Sequence, residues 1–288
     1  MDGEDVAPIV LWCHPRSLST AFERAFLERD DDFVCYHEPF GEPYYFGEEA
    51  LSSRYIADTN GHSRKALTYM QVMQEQVLKE HTAVSSIDGG EIKRKRVFVK
   101  NMAQYIVLPS GTAPHMQIEE GNPTVIPKRL LAKVRHSFLL RDPHKSIPSY
   151  WRMCVVGDAS QATGFHFYDP NEAGYLELRT LFEYVRTLTH ETPLLLTAEE
   201  LLQDPVSTMH LYCHHMGVPF VPGMLHWEAK RIPSFDSWPG FHREAQQSFG
   251  FGKFVSPPII HEYPYPKLVY DTIQMNLPHY NYLLKYKR

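Results

Sequence analysis

Five short apolar runs, separated by longer stretches of mixed polarity, constrain this chain more than any other feature. They occupy 9–13, 33–37, 97–100, 137–140 and 194–197, and several are apolar at nearly every position. Strands buried on both faces read this way, whereas half-exposed strands alternate. The stretches 19–28, 63–79, 144–153, 171–190, 206–216 and 267–285 carry the spacing of amphipathic helices. Strand and helix in this order predict an α/β fold of three layers, α/β/α, with a central parallel sheet of about five strands. Pro148 and Pro278 are expected to kink or end the helices that contain them. Two regions rich in proline and glycine, 110–128 and 232–266, read as lids or substrate walls, or as plain connections.

Composition narrows the partners. With 29 Lys+Arg against 34 Asp+Glu, the net charge of -5 argues against a dedicated nucleic-acid binder, which needs surplus cations to displace phosphate counterions. The basic run 93–96 reads as a solvated strand entrance. The four cysteines, Cys13, Cys35, Cys154 and Cys213, form no CxxC pair, which points to reduced thiols in a cytoplasmic protein. The acidic start lacks a signal-peptide pattern, and no apolar stretch is long enough for a membrane span. No metal site is expected: His210, Cys213, His214 and His215 share one helix without a local carboxylate or an HExxH motif. No repeat or linker divides the chain, so a single domain over 1–288 is expected, with 232–288 as a C-terminal extension of loops and a terminal helix.

The segment 9–22, IVLWCHPRSLSTAF, reads as a strand, a tight polar turn and a helix. Such a turn aims unpaired backbone N–H groups and the positive end of the helix dipole at one point, so it stabilises an anion. Arg16 adds a cation with bidentate geometry, and Ser17, Ser19 and Thr20 add hydroxyls. The turn is not a Walker A loop, because GxxxxGK[ST] is absent. In 137–151, Arg141 ends a strand, Pro143 opens a helix, and Ser149 within that helix is placed to fold back toward the same anion.

At this point the sequence resembles the sulfotransferase family. In that family a PRSGST-like loop binds the 5′-phosphosulfate of 3′-phosphoadenosine-5′-phosphosulfate, and an arginine with a serine eight residues later binds the 3′-phosphate. PRSLST at 15–20 and the pair Arg141 and Ser149 look like these elements. TAEELLQDP at 197–205 looks like the family's YEDLxxDP stretch, and His37-Glu38-Pro39-Phe40 is similar to its EPF turn. The four matches follow the family's order from Pro8 to Pro205.

The resemblance implies a P-loop NTPase-like sulfotransferase fold in a divergent member. It implies donor binding by Arg16, Ser17, Leu18, Ser19, Thr20, Arg141 and Ser149, with adenosine 3′,5′-bisphosphate as product and no metal. Lys100 matches the lysine of the family's KxH motif, near the departing phosphate oxygen, but Met102 stands where its histidine would be, with Gln104 nearby. A methionine accepts no proton. Glu38 is therefore the candidate base and His37 the second choice; a working Glu38 requires burial that raises its pKa toward neutrality. Leu18 replaces the loop glycine, Ala21 the adenine-stacking tryptophan and Ala198 a tyrosine, and 248–253 lies where the family's RKG triplet is expected.

The expected reaction is sulfuryl transfer to a hydroxyl or amine. Aromatic clusters at 44–46, 165–168, Trp227, 235–241 and 249–254 suit a small, largely apolar acceptor from specialised metabolism, with no nucleic-acid or membrane partner and a homodimer left open. The alternative is an enzyme on the same fold repurposed for a non-sulfuryl isomerisation, cyclisation or condensation.

Overall fold

Parallel pairing organises the chain around β1 (Ile9–Cys13), whose five residues are all buried. The structure is a computed structural model and describes residues 7–55, 67–84, 92–112, 117–156, 163–252 and 265–288. The other strands are β2 (Phe33–His37), β3 (His81–Val84), β4 (Ile92–Met102), β5 (Arg135–Leu140) and β6 (Leu194–Thr197). They are ordered β2-β4-β1-β5-β6, with every neighbouring pair parallel, and β3 joins β4 antiparallel.

The helices are α1 (Ser19–Leu27), α2 (Gly41–Phe46), α3 (Tyr69–Val72), α4 (Lys128–Leu131) and α5 (Pro143–Val155) in the first half. α6 (Tyr175–Thr189), α7 (Ala198–Gln203), α8 (Pro205–Met216), α9 (Arg243–Gln247) and α10 (Lys267–Leu284) follow. Successive residues of β5 show both faces covered: the Ser137 hydroxyl bonds Tyr212 of α8, while the Phe138 ring meets Phe182 of α6 at 5.2 Å. α1 shares the α8 face, since Phe22 and Tyr212 lie 4.6 Å apart, and α5 and α6 pack on α10. The expected three layers are present.

Local chemistry sets the helix starts. Asp142 accepts from His144 N with Pro143 at the first position of α5, and Thr197 with Glu200 makes a capping box on α7. Neither Pro148 in α5 nor Pro278 in α10 ends its helix. The expected helix over 63–79 is shorter. Its first residues fall outside the described ones, and α3 passes into a π-helical turn at Met73–Val77. The run 93–96 lies inside β4, and Arg96 is buried rather than solvated, donating to the carbonyls of Ala7 and Met216 at 2.6 and 2.8 Å. Among the described residues, no helix is long and apolar enough to cross a membrane.

One glycine is required by a close approach. Gly174, before α6, has φ +79, and a Cβ there would stand 2.6 Å from Gln104 Oε1 and 3.2 Å from both His14 and Pro15. Gly174→Ala is expected to lower stability by roughly 1–3 kcal/mol in urea unfolding, from left-handed strain plus the clash; an unchanged midpoint would contradict this packing.

Candidate functional site

All five parallel strands direct their C-terminal ends to one edge of the sheet, and the chain leaving β1 there passes between β4 and β5. The turn after β1 has left-handed backbone at Arg16 (φ 62) and Leu18 (φ 69). Leu18 is the N-cap of α1 and gives no side-chain cap, so the first N–H groups of that helix are left to a ligand or solvent. Left-handed backbone costs a residue with a side chain about 1–2 kcal/mol, and this turn accepts it at the position where the resemblance has glycine. Ser17 Oγ is buried without a hydrogen-bond partner.

Two residues tie the turn to the end of β5. His14 Nε2 accepts the backbone N–H of Arg141 at 3.0 Å, and its Nδ1 faces Pro15 O at 3.0 Å as the donor. Burial lowers the pKa of His14 to about 3, so the ring is neutral, and it packs on Tyr175 at 4.0 Å. Arg141 donates to the carbonyl of Arg16 at 2.8 Å, while its Nε is buried and unpartnered. Ser149 meets Arg16 directly: Arg16 Nε donates to Ser149 Oγ at 2.9 Å, and the same guanidinium reaches Phe241 O at 2.7 Å and Glu244 at 3.3 Å.

These groups line one cavity of about 530 Å³. Arg16, Ser17, Leu18, Ser19, Thr20, Arg141 and Ser149 are all on its wall, with Lys145 and Arg152 adding charge. The wall also carries aromatics, Tyr45, Tyr105, Phe165, Trp238 and Phe241. Met102 and Gln104 also face it, and Gln104 Oε1 is a further buried atom without a partner. Ser248, Gly250, Phe251 and Gly252 complete the wall, whereas Lys253 lies outside the described residues.

Glu38 and His242 reach the wall, while Lys100 and His37 stand behind them. The Lys100 ammonium, fully buried, donates to Glu38 Oε1, and Tyr105 OH donates to Glu38 Oε2 at 3.1 Å. Burial pushes the Glu38 pKa up, but Lys100, His37 and the Tyr105 hydroxyl outweigh it and hold the carboxyl below its ordinary value. The upward shift that a working base at Glu38 would require is not what these surroundings produce. For Lys100, burial works downward, and Glu38 and Glu23 outweigh it, leaving the amine pKa raised.

His37 bridges two further groups. Its Nδ1 lies 2.6 Å from Glu23 Oε2, and its Nε2 lies 2.9 Å from His242 Nε2. His242 Nδ1 in turn lies 3.0 Å from Thr20 Oγ1. Burial first, then His37, Lys100 and Arg16, push the His242 pKa well below the ordinary histidine value. Ligand-type atoms of His37, Glu38 and His242 lie within 4.8 Å of one another, but the Lys100 ammonium already engages Glu38 Oε1, the oxygen nearest His37.

Sequence reading missed Glu23, Tyr105 and His242. Glu23 is marked only by being a carboxylate on the buried face of α1. His242 comes from the loop region 232–266, 205 positions from its partner His37, and nothing local signals it.

No family model matches this chain. Over 273 residues it is 27% identical to branched-chain-amino-acid aminotransferase-like protein 2 of Arabidopsis thaliana, covering 94% of this chain and 40% of that protein. It is 24% identical over 275 residues to protein 1 of the same name and organism, with the same coverage. The chain therefore spans about two fifths of the length of these relatives. Solved structures to which it is similar include the sulfotransferase domain from the curacin biosynthetic pathway, with TM-score 0.46, 11% identity, and 93% of this chain and 96% of that one covered. The sulfotransferase domain from the Synechococcus PCC 7002 olefin synthase has TM-score 0.42 and 15% identity, covering 96% of both chains.

Burial of neutral histidines makes the fold acid-sensitive. The pKa falls to about 3 at His14 and about 4 at His136, and lies well below the ordinary value at His242. Between those values and the unfolded value near 6.5 the unfolded chain binds more protons, so stability is full above that pH and falls below it. The expected loss approaches about 1.4 kcal/mol per pH unit for each such histidine. Urea unfolding at a series of pH values between 7.5 and 5 measures it; a flat profile would contradict the neutral assignment.

Proposed function

We propose that this chain transfers a sulfuryl group from 3′-phosphoadenosine-5′-phosphosulfate to a hydroxyl or amine of a small, largely apolar acceptor. The observation that carries this reading is the meeting of two arginine-bearing strand ends, after β1 and after β5, on one cavity that holds buried, unpartnered polar atoms. Ser17 Oγ and Arg141 Nε suit an anionic ligand, because a buried donor without a partner costs about 1–3 kcal/mol that a phosphate oxygen would recover. The uncapped start of α1 adds backbone N–H groups and the helix dipole on the same side.

Bound there, the donor would supply an activated sulfuryl group and depart as adenosine 3′,5′-bisphosphate. Ser17, Ser19 and the α1 N-terminus would hold one charged end, and Arg141 with the Arg16–Ser149 pair the other. Tyr45, Phe165 and Trp238 would hold the acceptor and keep water out. The Lys100–Glu38 pair would keep a fixed charge distribution at the cavity edge, with Glu38 on the wall and Lys100 behind it. Glu38 is poorly placed as a base, since Lys100 and Tyr105 engage its oxygens and its pKa is lowered.

Calorimetric titration with adenosine 3′,5′-bisphosphate tests the reading. Binding in the micromolar range is expected, and Arg141→Ala should weaken it roughly 10- to 100-fold through loss of a charge-assisted contact. No detectable heat at millimolar ligand would sink it.

A further inference from the structure

Deepening that reading and resting on it for the acceptor chemistry, we propose that Thr20, His242, His37 and Glu23 form a proton relay that removes the acceptor's proton. The four side chains make one unbroken line. Thr20 Oγ1 is 3.0 Å from His242 Nδ1, His242 Nε2 is 2.9 Å from His37 Nε2, and His37 Nδ1 is 2.6 Å from Glu23 Oε2. The His37 and Glu23 side chains are each only 1% exposed. Thr20 and Glu23 stand three residues apart on α1, so one rigid helix holds both ends of the line.

With both rings neutral, the hydrogen positions follow from the chemistry of the groups. An ionised carboxylate only accepts, so His37 carries its proton on Nδ1 and offers a lone pair at Nε2. Two ring nitrogens 2.9 Å apart need one proton between them, which must then belong to His242 Nε2. His242 Nδ1 is consequently bare and accepts from the Thr20 hydroxyl. Thr20 and His242 both face the cavity, and Thr20 lies in the first turn of α1 on the wall that it shares with Ser17.

The transfer balances without any redox partner. As the acceptor oxygen uses its electron pair to form the new bond to the sulfuryl group, its O–H bond breaks and the proton passes to Thr20 Oγ1. The Thr20 proton moves to His242 Nδ1, and the His242 Nε2 proton moves to His37 Nε2. His37 ends doubly protonated. For an amine acceptor the N–H proton takes the same route.

The surrounding charges decide where the proton rests. His37 faces the carboxylates of Glu23 at 2.6 Å and Glu38 at 3.8 Å. His242 faces the cations Lys100 and Arg16, and burial opposes its charging further. Lys100 also acts on His37 through Glu38, which it binds and partly neutralises. His37 is therefore the proton sink and Glu23 the residue that positions and charges it, while Met102 offers the cavity no base.

Nitrogen-15 NMR of the histidine rings in the full chain, without any nucleotide, tests the relay independently of the reaction. At pH 7.5 the expected pattern is Nδ1–H on His37 and Nε2–H on His242, and Glu23→Gln should move the His37 proton off Nδ1 in part of the population, with Glu23→Asp restoring the Nδ1–H form. In turnover assays Glu23→Gln should lower kcat at least tenfold and shift its pH profile while leaving calorimetric affinity for adenosine 3′,5′-bisphosphate within about threefold. Nε2–H on His37 in the unaltered chain, or a His37 tautomer unmoved in Glu23→Gln, would overturn the relay. So would one equivalent of zinc retained by the chain and lost in His37→Gln. Failure of nucleotide binding with the ring pattern intact would instead refute the sulfuryl reading, and the reverse result would refute the relay alone.

Discussion

Parallel pairing of β1 on both sides is the constraint from which the site follows. With β4 and β5 running alongside it in the same direction, three chain segments leave the sheet together at one edge, and their polar residues have to share that space. Lys100 ends up opposite Leu11 and His37 in the register, and Arg141 emerges beside the turn that follows Cys13. The cavity is the room left between these exits.

Buried charge at that edge is arranged in pairs. Lys100 engages Glu38, and Glu23 engages His37, so each ion has a partner of opposite or titratable character. Removing one member of such a pair strands the other in a poorly solvated interior, at roughly 3–5 kcal/mol. The same pairing divides the labour at the site. Lys100 keeps Glu38 engaged and its pKa lowered, while His37 is left in contact with Glu23 and His242. Neutral His14 works differently, as a strut that accepts the Arg141 N–H and holds two strand ends in register.

Much of the fold was legible because strands covered on both faces leave an unbroken apolar signature. β1, β2 and β6 begin and end where their apolar runs do. β4 was read short, since its first half is the charged run that includes buried Arg96, and β3 pairs only at that polar end. Pro148 does not end α5, where burial on α10 and the Asp142 cap hold the helix together. At the site, residues at strand ends were readable one by one, as with Arg16, Lys100 and Arg141. Their partners were not. The Arg16–Ser149 contact, the Lys100–Glu38 pair and the His37–His242 contact join segments 62 to 205 positions apart, and such distances carry no local pattern.

The central claim is that the turn after β1 and the end of β5 together hold a nucleotide carrying two separated phosphates. A crystal structure of the chain with adenosine 3′,5′-bisphosphate tests it most directly. The expected complex places one phosphate at Ser17 Oγ and the first N–H groups of α1, and the other at Arg141 Nε near Ser149, so that both unpartnered atoms gain a partner. A nucleotide bound elsewhere, or one that leaves Ser17 Oγ and Arg141 Nε unpaired, would contradict it.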